Sequence, residues 1–220
     1  MPEIIIEEIR PEKGHLVGLY SHGELICAIV RELAAEKKLR PGEYTEEALR
    51  ALLTESQRRR AKAKALYLLN YRDYSSRDLR DRLRKEFDQD ATEQALTFMK
   101  EIGALDDARY AENMIRHLIF RKHYGSRRIL RELTGKGIDG TTAAQALSRF
   151  ELDEPAAIAA LLRDQFCHDL GDEKGIRRTV ATLQRYGYAS GDIWDALRNA
   201  PEDSGDEALS ESYTVSYTDY

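Results

Sequence analysis

The sequence predicts a mainly α-helical protein, in which a small N-terminal β-meander with a helix precedes three tandem three-helix repeats. Three observations predict this fold. Short apolar runs separated by glycine and proline fill the first thirty residues, helical patterns run from Arg58 to Ala200, and the chain matches itself at a spacing of about fifty residues. Because one three-helix unit has a small core, we expect neighbouring repeats to pack into an elongated, curved rod.

The N-terminal segment, residues 1–57, has the pattern of a small antiparallel sheet followed by a helix. Its short apolar runs are residues 4–6, 16–20 and 25–30, and they are separated by residues typical of turns. Pro41-Gly42 then breaks the chain, and Thr45 is placed to cap a helix that extends through Leu53.

The helical part of the chain divides into three repeats and an acidic tail. The predicted repeats are 59–103, 106–150 and 153–199, and the tail, which we expect to be disordered, is 200–220. We expect nine helices, whose starts are marked by Ser75 with Asp78, Asp90 with Glu93, Asp106, Asp153 and Ser190. Each of the glycines Gly103, Gly137 and Gly187 suits the left-handed position that ends a helix.

Apolar residues recur at equivalent positions of the repeats. They are Leu83, Leu133 and Leu183 on the second helix, Phe87, Ile138 and Tyr188 after the following turn, and Leu96, Leu147 and Leu197 on the third helix. We expect the leucines to face the core and the residues after the turn to pack back onto their own helix.

One polar position recurs in the same way, at Arg77, Arg127 and Arg177. Arginine suits bidentate contact with phosphate or carboxylate, so these residues could form a regular row of guanidinium groups. Inheritance from a duplicated ancestor, or local pairing at a helix start, explains the repetition equally well.

Charge is distributed unevenly along the chain. The net charge of −5 argues against a general nucleic-acid binder, yet residues 58–136 hold 20 basic and 12 acidic residues, a net charge of +8. Such a basic block could neutralise phosphates, dock on an acidic protein surface, or be a solvated face laced with salt bridges. Residues 199–220 hold six acidic and no basic residues, and they either compete for the basic block or form a plain solubilising tail.

The basic block supplies most of the candidate partner-binding residues. These candidates are Arg77, Arg80, Arg84, Lys85, Arg121, Lys122, Arg127, Arg128, Arg131 and, outside the block, Arg177. Helical spacing places Arg77, Arg80 and Arg84 on one face. Part of this charge is expected to be neutralised locally, by pairing of Asp78 with Arg82 and of Asp81 with Lys85.

Three tyrosines, Tyr71, Tyr74 and Tyr124, are interleaved with these cations. They lie at junctions between loops and helices, where aromatic side chains are more often packed than available for stacking on bases.

The chain shows no pattern of a catalytic, cofactor or metal site. It has no glycine-rich phosphate loop, its five histidines lack paired spacing, and Cys27 and Cys167 are too far apart for a metal or disulfide motif. Asp106-Asp107 is better explained as a helix cap than as a catalytic carboxylate pair. We therefore expect a non-enzyme without cofactors, in a reducing cytoplasm. The lack of a 20-residue apolar stretch and of a basic N-terminus predicts neither membrane span nor secretory signal.

Several motifs resemble those of the RecX family, the bacterial regulators of the RecA recombinase. The first motif consists of Leu68, Arg72, Ser75, Asp78 and Leu79. Further segments similar to family motifs are 102–111, 125–138 and 183–188. The resemblance covers about 59–199 and weakly the segment before it, whereas Glu86, Tyr186 and the acidic tail depart from the family pattern.

The resemblance implies a non-enzymatic regulator of DNA repair, recombination and the SOS response. Such a protein binds the RecA filament on single-stranded DNA, along the filament groove, and restrains recombinase and co-protease activity. We expect the chain to be a monomer. A module that binds nucleic acid directly is the second hypothesis, and a helical scaffold for an unrelated partner is the third.

Overall fold

The computed structural model of the chain describes residues 3–199, and these residues form two units. The first unit ends at Glu151 and the second begins at Leu152. The predicted acidic tail, 200–220, lies outside the described residues, and so does the expectation that it is disordered.

The described residues contain five β-strands and ten α-helices. The strands are β1 (Glu3–Ile6), β2 (Glu8–Pro11), β3 (Leu16–Ser21), β4 (Glu24–Val30) and β5 (Gly42–Thr45). The helices of the first unit are α1 (Arg31–Glu36), α2 (Glu46–Tyr71), α3 (Ser76–Leu83), α4 (Gln89–Glu101), α5 (Asp107–Phe120), α6 (Ser126–Gly135) and α7 (Gly140–Ser148). Those of the second unit are α8 (Glu154–Asp164), α9 (Glu173–Tyr186) and α10 (Ser190–Arg198), with a 3-10 turn at Cys167–Asp169.

The strands form two small antiparallel sheets. One pairs β1 with β5, and the other has the order β2-β3-β4. The three predicted strands correspond to β1, β3 and β4, but the expected meander is wrong for β1, which pairs with β5. The strands β2 and β5 were missed, because their sequences, EIRP and GEYT, are short and contain no run of apolar residues. The sheets enclose a core that includes the buried side chains of Ile6, Leu19, Ile29 and Leu49. Since Leu49 belongs to α2, this core already depends on the first long helix.

The prediction that a short helix ends at Leu53 is wrong, because α2 continues without a break for 26 residues. The helix begins as expected, with Thr45 Oγ1 accepting a hydrogen bond of 3.2 Å from the Ala48 N–H. Residues 54–57 read TESQ and contain neither glycine nor proline, so nothing in the backbone stops the helix there. At that point the buried Ser56 Oγ accepts a hydrogen bond of 3.0 Å from the Val30 N–H, which fastens α2 to the end of β4.

The nine predicted repeat helices are present within the described residues, as the C-terminal part of α2 followed by α3 to α10. The repeated leucines of the second helices, Leu83, Leu133 and Leu183, are fully buried. The repeated residues after the turn are buried as well, and Leu197 is partly buried against the core of the second unit. Periodicity therefore located the core of each repeat correctly.

The turns after α6 and α9 share one geometry, which the turn after α3 lacks. Gly137 and Gly187 have φ of +79° and +99°, and the N–H groups of Ile138 and Tyr188 reach back to the carbonyls of Leu133 and Leu183, at 3.1 and 3.2 Å. The corresponding bond of Phe87 spans four residues rather than five, with N to Leu83 O at 3.0 Å. The shorter turn explains why the repeat register gains one residue after this point.

Two predicted helix starts are displaced by one or two residues. The cap of α4 is Asp88, whose Oδ1 accepts from the Ala91 N–H at 2.8 Å, while Asp90 lies in the first turn. Ser190 is the first residue of α10 and not its cap, and its hydroxyl accepts instead from Gln184 Nε2 at 3.1 Å. The predicted caps Ser75, Asp106 and Asp153 are confirmed.

The bond between Val30 and Ser56 can be tested by substitution. Ser56→Ala leaves a partly buried N–H without its acceptor, so we expect a loss of about 1–3 kcal/mol in the free energy of unfolding. The matched control is Ser148→Ala, which changes an exposed helical serine and should alter the free energy by less than about 0.5 kcal/mol. Urea unfolding of the two variants checks this, and equal effects would contradict the assigned bond.

Candidate partner-binding surface

The ten candidate cations are distributed over both units of the structure. Nine of them lie in the first unit, on α3 and the turn after it, on the turn between α5 and α6, and on α6. Arg177 lies on α9 in the second unit. All are exposed except Arg80 and Arg128, which are half-buried.

Four of the candidates are neutralised by carboxylates. Arg80 Nε lies 2.8 Å from Glu93 Oε1, and Arg84 Nη2 approaches the same oxygen at 3.6 Å. The hydrogen bond from Arg80 holds the pKa of the Glu93 carboxyl below its ordinary value. Arg128 pairs with Glu132 at 3.0 Å, and Arg177 pairs with Glu173 at 2.5 Å. These pairs are satisfied within their own unit and leave little charge for a partner.

The other six candidates form no ion pair with any residue between 3 and 199. They are Arg77, Lys85, Arg121, Lys122, Arg127 and Arg131. Four of the six lie close together in sequence, between the end of α5 and the middle of α6. We call these four residues, Arg121, Lys122, Arg127 and Arg131, the α5–α6 cations. They are the part of the predicted set that keeps its charge available.

The predicted i,i+4 ion pairs of Asp78 with Arg82 and of Asp81 with Lys85 are wrong. Asp78 is bound by Lys136 Nζ, 3.3 Å from its Oδ2, and not by Arg82. Asp81 forms no ion pair with the described residues. An exposed pair at i,i+4 contributes only about 0.3–0.5 kcal/mol, so a cation from the second repeat displaces it easily.

The start of α3 is bound to the second repeat by a cluster of polar contacts, which we call the repeat joint. The buried Ser75 hydroxyl donates to the Lys136 carbonyl at 2.7 Å while it accepts from the Asp78 N–H at 3.1 Å. The Ser76 N–H donates to Asp107 Oδ1 at 2.7 Å. Tyr110 lies beside this cluster, where burial raises the pKa of its phenol. The joint therefore fixes the first repeat against the second.

The three equivalent arginines have three different surroundings. The stem of Arg77 covers Gly137 so closely that a Cβ on the glycine would lie 2.5 Å from Arg77 Cβ. Arg127 is exposed and Arg177 is paired with Glu173. Arg77 is thus in part a packing residue of the repeat joint, and Arg177 is paired locally, so the three arginines are not equally available to a partner.

The interleaved tyrosines do not all pack as expected. Tyr74 and Tyr124 are half-buried, with the guanidinium carbons of Arg72 and Arg128 at 4.1 and 4.6 Å from their ring centroids. The expectation is wrong for Tyr71, whose side chain is 79% exposed at the end of α2. Tyr67, which the sequence interpretation missed, is 58% exposed, and its ring centroid lies 5.7 Å from that of Tyr71. The i,i+4 spacing of the two tyrosines was the available signal.

Residues 3–199 contain neither a metal-binding cluster nor a helix that could span a membrane. No group of three or more histidine, cysteine, aspartate or glutamate side chains is arranged to hold a metal ion. None of the described helices is both long enough and apolar enough to cross a membrane.

Comparison with known families assigns the two repeats of the first unit. Residues 61–99 match the first three-helix domain of RecX, and residues 106–147 match the second.

Several curated relatives are similar over most of their length. The regulatory protein RecX of Clostridioides difficile is 30% identical over 152 residues, which are 68% of this chain and 72% of the relative. That of Pectobacterium atrosepticum is 35% identical over 50% of this chain and 77% of its own length. The regulatory protein RecX of Vibrio parahaemolyticus is 32% identical over 65% of this chain and 93% of its own length.

Solved structures share the fold. A crystal structure of a regulatory protein RecX aligns with a TM-score of 0.65 and 20% identity, over 89% of this chain and 98% of that one. The crystal structure of RecX from Lactobacillus salivarius aligns with a TM-score of 0.58 and 20% identity, over 65% of this chain and 96% of that one.

The contact between Arg77 and Gly137 can be tested with a matched pair of glycine variants. Gly137→Ala and Gly103→Ala both force alanine into a left-handed conformation, at about 1–2 kcal/mol each. Only Gly137→Ala also collides with a side chain, since the space around Gly103 is open, and we expect a further loss of about 1–3 kcal/mol.

Thermal unfolding measures the difference between the two glycine variants. Arg77→Ala removes two of the three atoms that would collide, Cγ and Cδ, so in the Gly137→Ala background it should restore part of the extra loss. Equal destabilisation by Gly137→Ala and Gly103→Ala would show that Arg77 does not pack there.

Proposed function

The chain belongs to the RecX family of regulatory proteins, and on this premise we propose that it regulates the RecA recombinase. In this proposal it binds the RecA filament on single-stranded DNA and restrains recombinase and co-protease activity, without catalysing a reaction itself. Binding alone is sufficient for such control. A protein that binds an inactive state of the filament more tightly than the active state shifts the population toward the inactive one.

The observation that carries the proposal is the set of α5–α6 cations. A filament on DNA displays phosphates and acidic protein surface, and exposed arginines without internal partners suit both. Arg121, Lys122, Arg127 and Arg131 are exposed and keep their charge, whereas Arg80, Arg84, Arg128 and Arg177 are engaged by carboxylates. The proposed contact surface is therefore narrower than the predicted set of ten.

The repeat joint supports the proposal from a second direction. Association of a flexible chain with a long partner would lose binding energy to the ordering of its repeats. The bonds that Ser75 and Ser76 make to the second repeat order the first two repeats before binding. The exposed cations of both repeats are then held at fixed positions, ready for a partner with matching spacing.

A second candidate function is direct binding of nucleic acid. The net charge of +8 in residues 58–136 favours it. Its signature is affinity for DNA in the absence of RecA that falls steeply as salt is raised, because bound phosphates release counterions.

Charge reversal of the α5–α6 cations tests the main proposal. The variant Arg121→Glu, Lys122→Glu, Arg127→Glu should inhibit ATP turnover by RecA on single-stranded DNA at least about tenfold less potently than the wild-type chain, because like charges then face each other. The matched control Lys13→Glu, Lys37→Glu, Arg40→Glu changes the net charge equally at three exposed sites and should inhibit normally.

Two outcomes of this experiment contradict the proposal. If the wild-type chain leaves RecA turnover unchanged at stoichiometric concentration, the chain does not regulate RecA. If the reversed variant and its control inhibit equally, the α5–α6 cations are not the contact surface.

A further inference from the structure

We propose that one side of α2 binds single-stranded nucleic acid by stacking of unpaired bases on Tyr67 and Tyr71. We call this side the tyrosine flank and define it by Arg60, Lys64, Tyr67 and Tyr71. The inference rests on the second candidate function, direct nucleic-acid binding, and assigns it to a surface other than the α5–α6 cations.

The tyrosine flank is a continuous stripe of the helix. Positions 60, 64, 67 and 71 are spaced by four, three and four residues, so they follow one another along one side of α2. The neighbouring stripe, formed by Ala61, Ala65 and Leu68, is buried in the core of the first repeat. The flank therefore borders the core, and three of its four residues are exposed, whereas Lys64 is half-buried.

The two tyrosines are presented as a platform and not as part of a packed surface. Their side chains are 58% and 79% exposed, and their ring planes are inclined by 50° with the centroids 5.7 Å apart. At that inclination the rings do not stack on each other, so each keeps a face open to solvent. The helix places their Cα atoms about 6 Å apart along its axis, which separates two binding positions for successive bases.

Rigidity favours a stacking function at this position. Tyrosine has only two side-chain torsions, so little entropy is lost when its ring is held against a ligand. The residues lie in a helix of 26 residues whose other side is packed in two cores, and a base that stacks there orders almost nothing.

Cationic residues precede and follow the two tyrosines along the chain, which favours a negatively charged ligand. Arg60 is exposed and forms no ion pair with the described residues, and its guanidinium carbon lies 5.7 Å from the ring centroid of Phe87. Arg72, the residue that follows α2 as its C-cap, likewise has no carboxylate partner among residues 3–199, and its guanidinium carbon lies 4.1 Å from the ring centroid of Tyr74. Lys64 is neutralised by Glu86 at 2.9 Å. Twelve residues separate these two arginines, which corresponds to about 18 Å along a helix, a span that covers several nucleotides of a single strand.

Single-stranded nucleic acid is the ligand that uses both features of the flank. Its unpaired bases offer aromatic faces to tyrosine and its phosphates offer charge to arginine, whereas a duplex hides its base faces inside the stack. A docked protein segment would use the tyrosines but would not supply a regular row of negative charges. The combination of exposed rings and arginines without carboxylate partners therefore favours the polynucleotide.

The test measures binding of a labelled 20-nucleotide oligo(dT) to the full chain without RecA. Tyr67→Ala, Tyr71→Ala should weaken binding at least about tenfold, because one base–tyrosine stack contributes on the order of a tenfold change or more. A 20-unit abasic strand, which has phosphates but no bases, should bind the double variant and the wild type equally. Tyr67→Phe, Tyr71→Phe keeps both rings and should bind oligo(dT) normally.

Two further comparisons separate stacking from charge. The slope of log K against log salt should be unchanged in the tyrosine double variant, while Arg60→Gln, Arg72→Gln should reduce it by about 0.7 for each phosphate that the variant no longer neutralises. Oligo(rU) distinguishes the source of the strand. Equal affinity for oligo(rU) and oligo(dT) supports a general single-strand platform, and a preference for either assigns the flank to DNA or to RNA.

The control is Phe120→Ala, which removes an aromatic side chain of similar exposure, 69%, from α5 and should leave oligo(dT) binding unchanged. The proposal is overturned if the wild type binds oligo(dT) no better than the abasic strand, or if the tyrosine double variant binds as the wild type does. It is also overturned if that variant loses affinity only for the RecA filament, since the flank is then a protein contact.

The two proposals fail separately. Loss of oligo(dT) binding in the tyrosine double variant supports the flank whether or not the chain inhibits RecA. Normal inhibition of RecA by a chain that binds no oligonucleotide overturns the flank alone.

Discussion

A single uninterrupted helix, α2, is shared by two hydrophobic cores, and the rest of the first unit is arranged around it. Its N-terminal half supplies Leu49 to the core beneath the two sheets, and its C-terminal half supplies Ala61, Ala65 and Leu68 to the core of the first repeat. The hydrogen bond from Val30 to Ser56 fixes the sheet against the middle of the helix. The direction of α2 therefore determines where the first repeat begins, and with it the position of α3.

The arrangement of the first two repeats depends on polar contacts. The first and second repeats are joined through Ser75, Ser76, Asp78 and Lys136, whose contacts are hydrogen bonds and one ion pair. Such contacts are directional, so they define one arrangement of the two repeats more narrowly than apolar packing alone would. The glycine at 137 is part of the same arrangement, since the Arg77 stem lies where its side chain would be.

Much of the fold follows from the sequence, because local signals act there without competition. The leucines at 83, 133 and 183 and the left-handed glycines were located correctly by periodicity and turn chemistry. The continuity of α2 was not predicted, because the sequence of an uninterrupted helix does not show which hydrophobic cores it contributes to. β2 was missed because Glu8–Pro11 is only four residues long and contains no run of apolar residues.

The ion pairs and exposed fractions of the surface side chains were predicted less well than the buried core, for a physical reason. The ion-pair partners of Asp78 and Arg80 are Lys136 and Glu93. Because these partners are distant in sequence, no local pattern predicts them. The exposure of Tyr71 likewise depends on which face α2 turns toward the core.

The shared helix also limits how the chain can be divided into modules. Thr45, the residue that caps α2, stands fourteen positions ahead of residue 59, where the repeat pattern begins. A version of the protein cut at that position would start inside a helix, with its first four N–H groups unprotected and its first turn prone to fraying. A stable fragment that begins at the first repeat therefore needs a new cap residue at the cut.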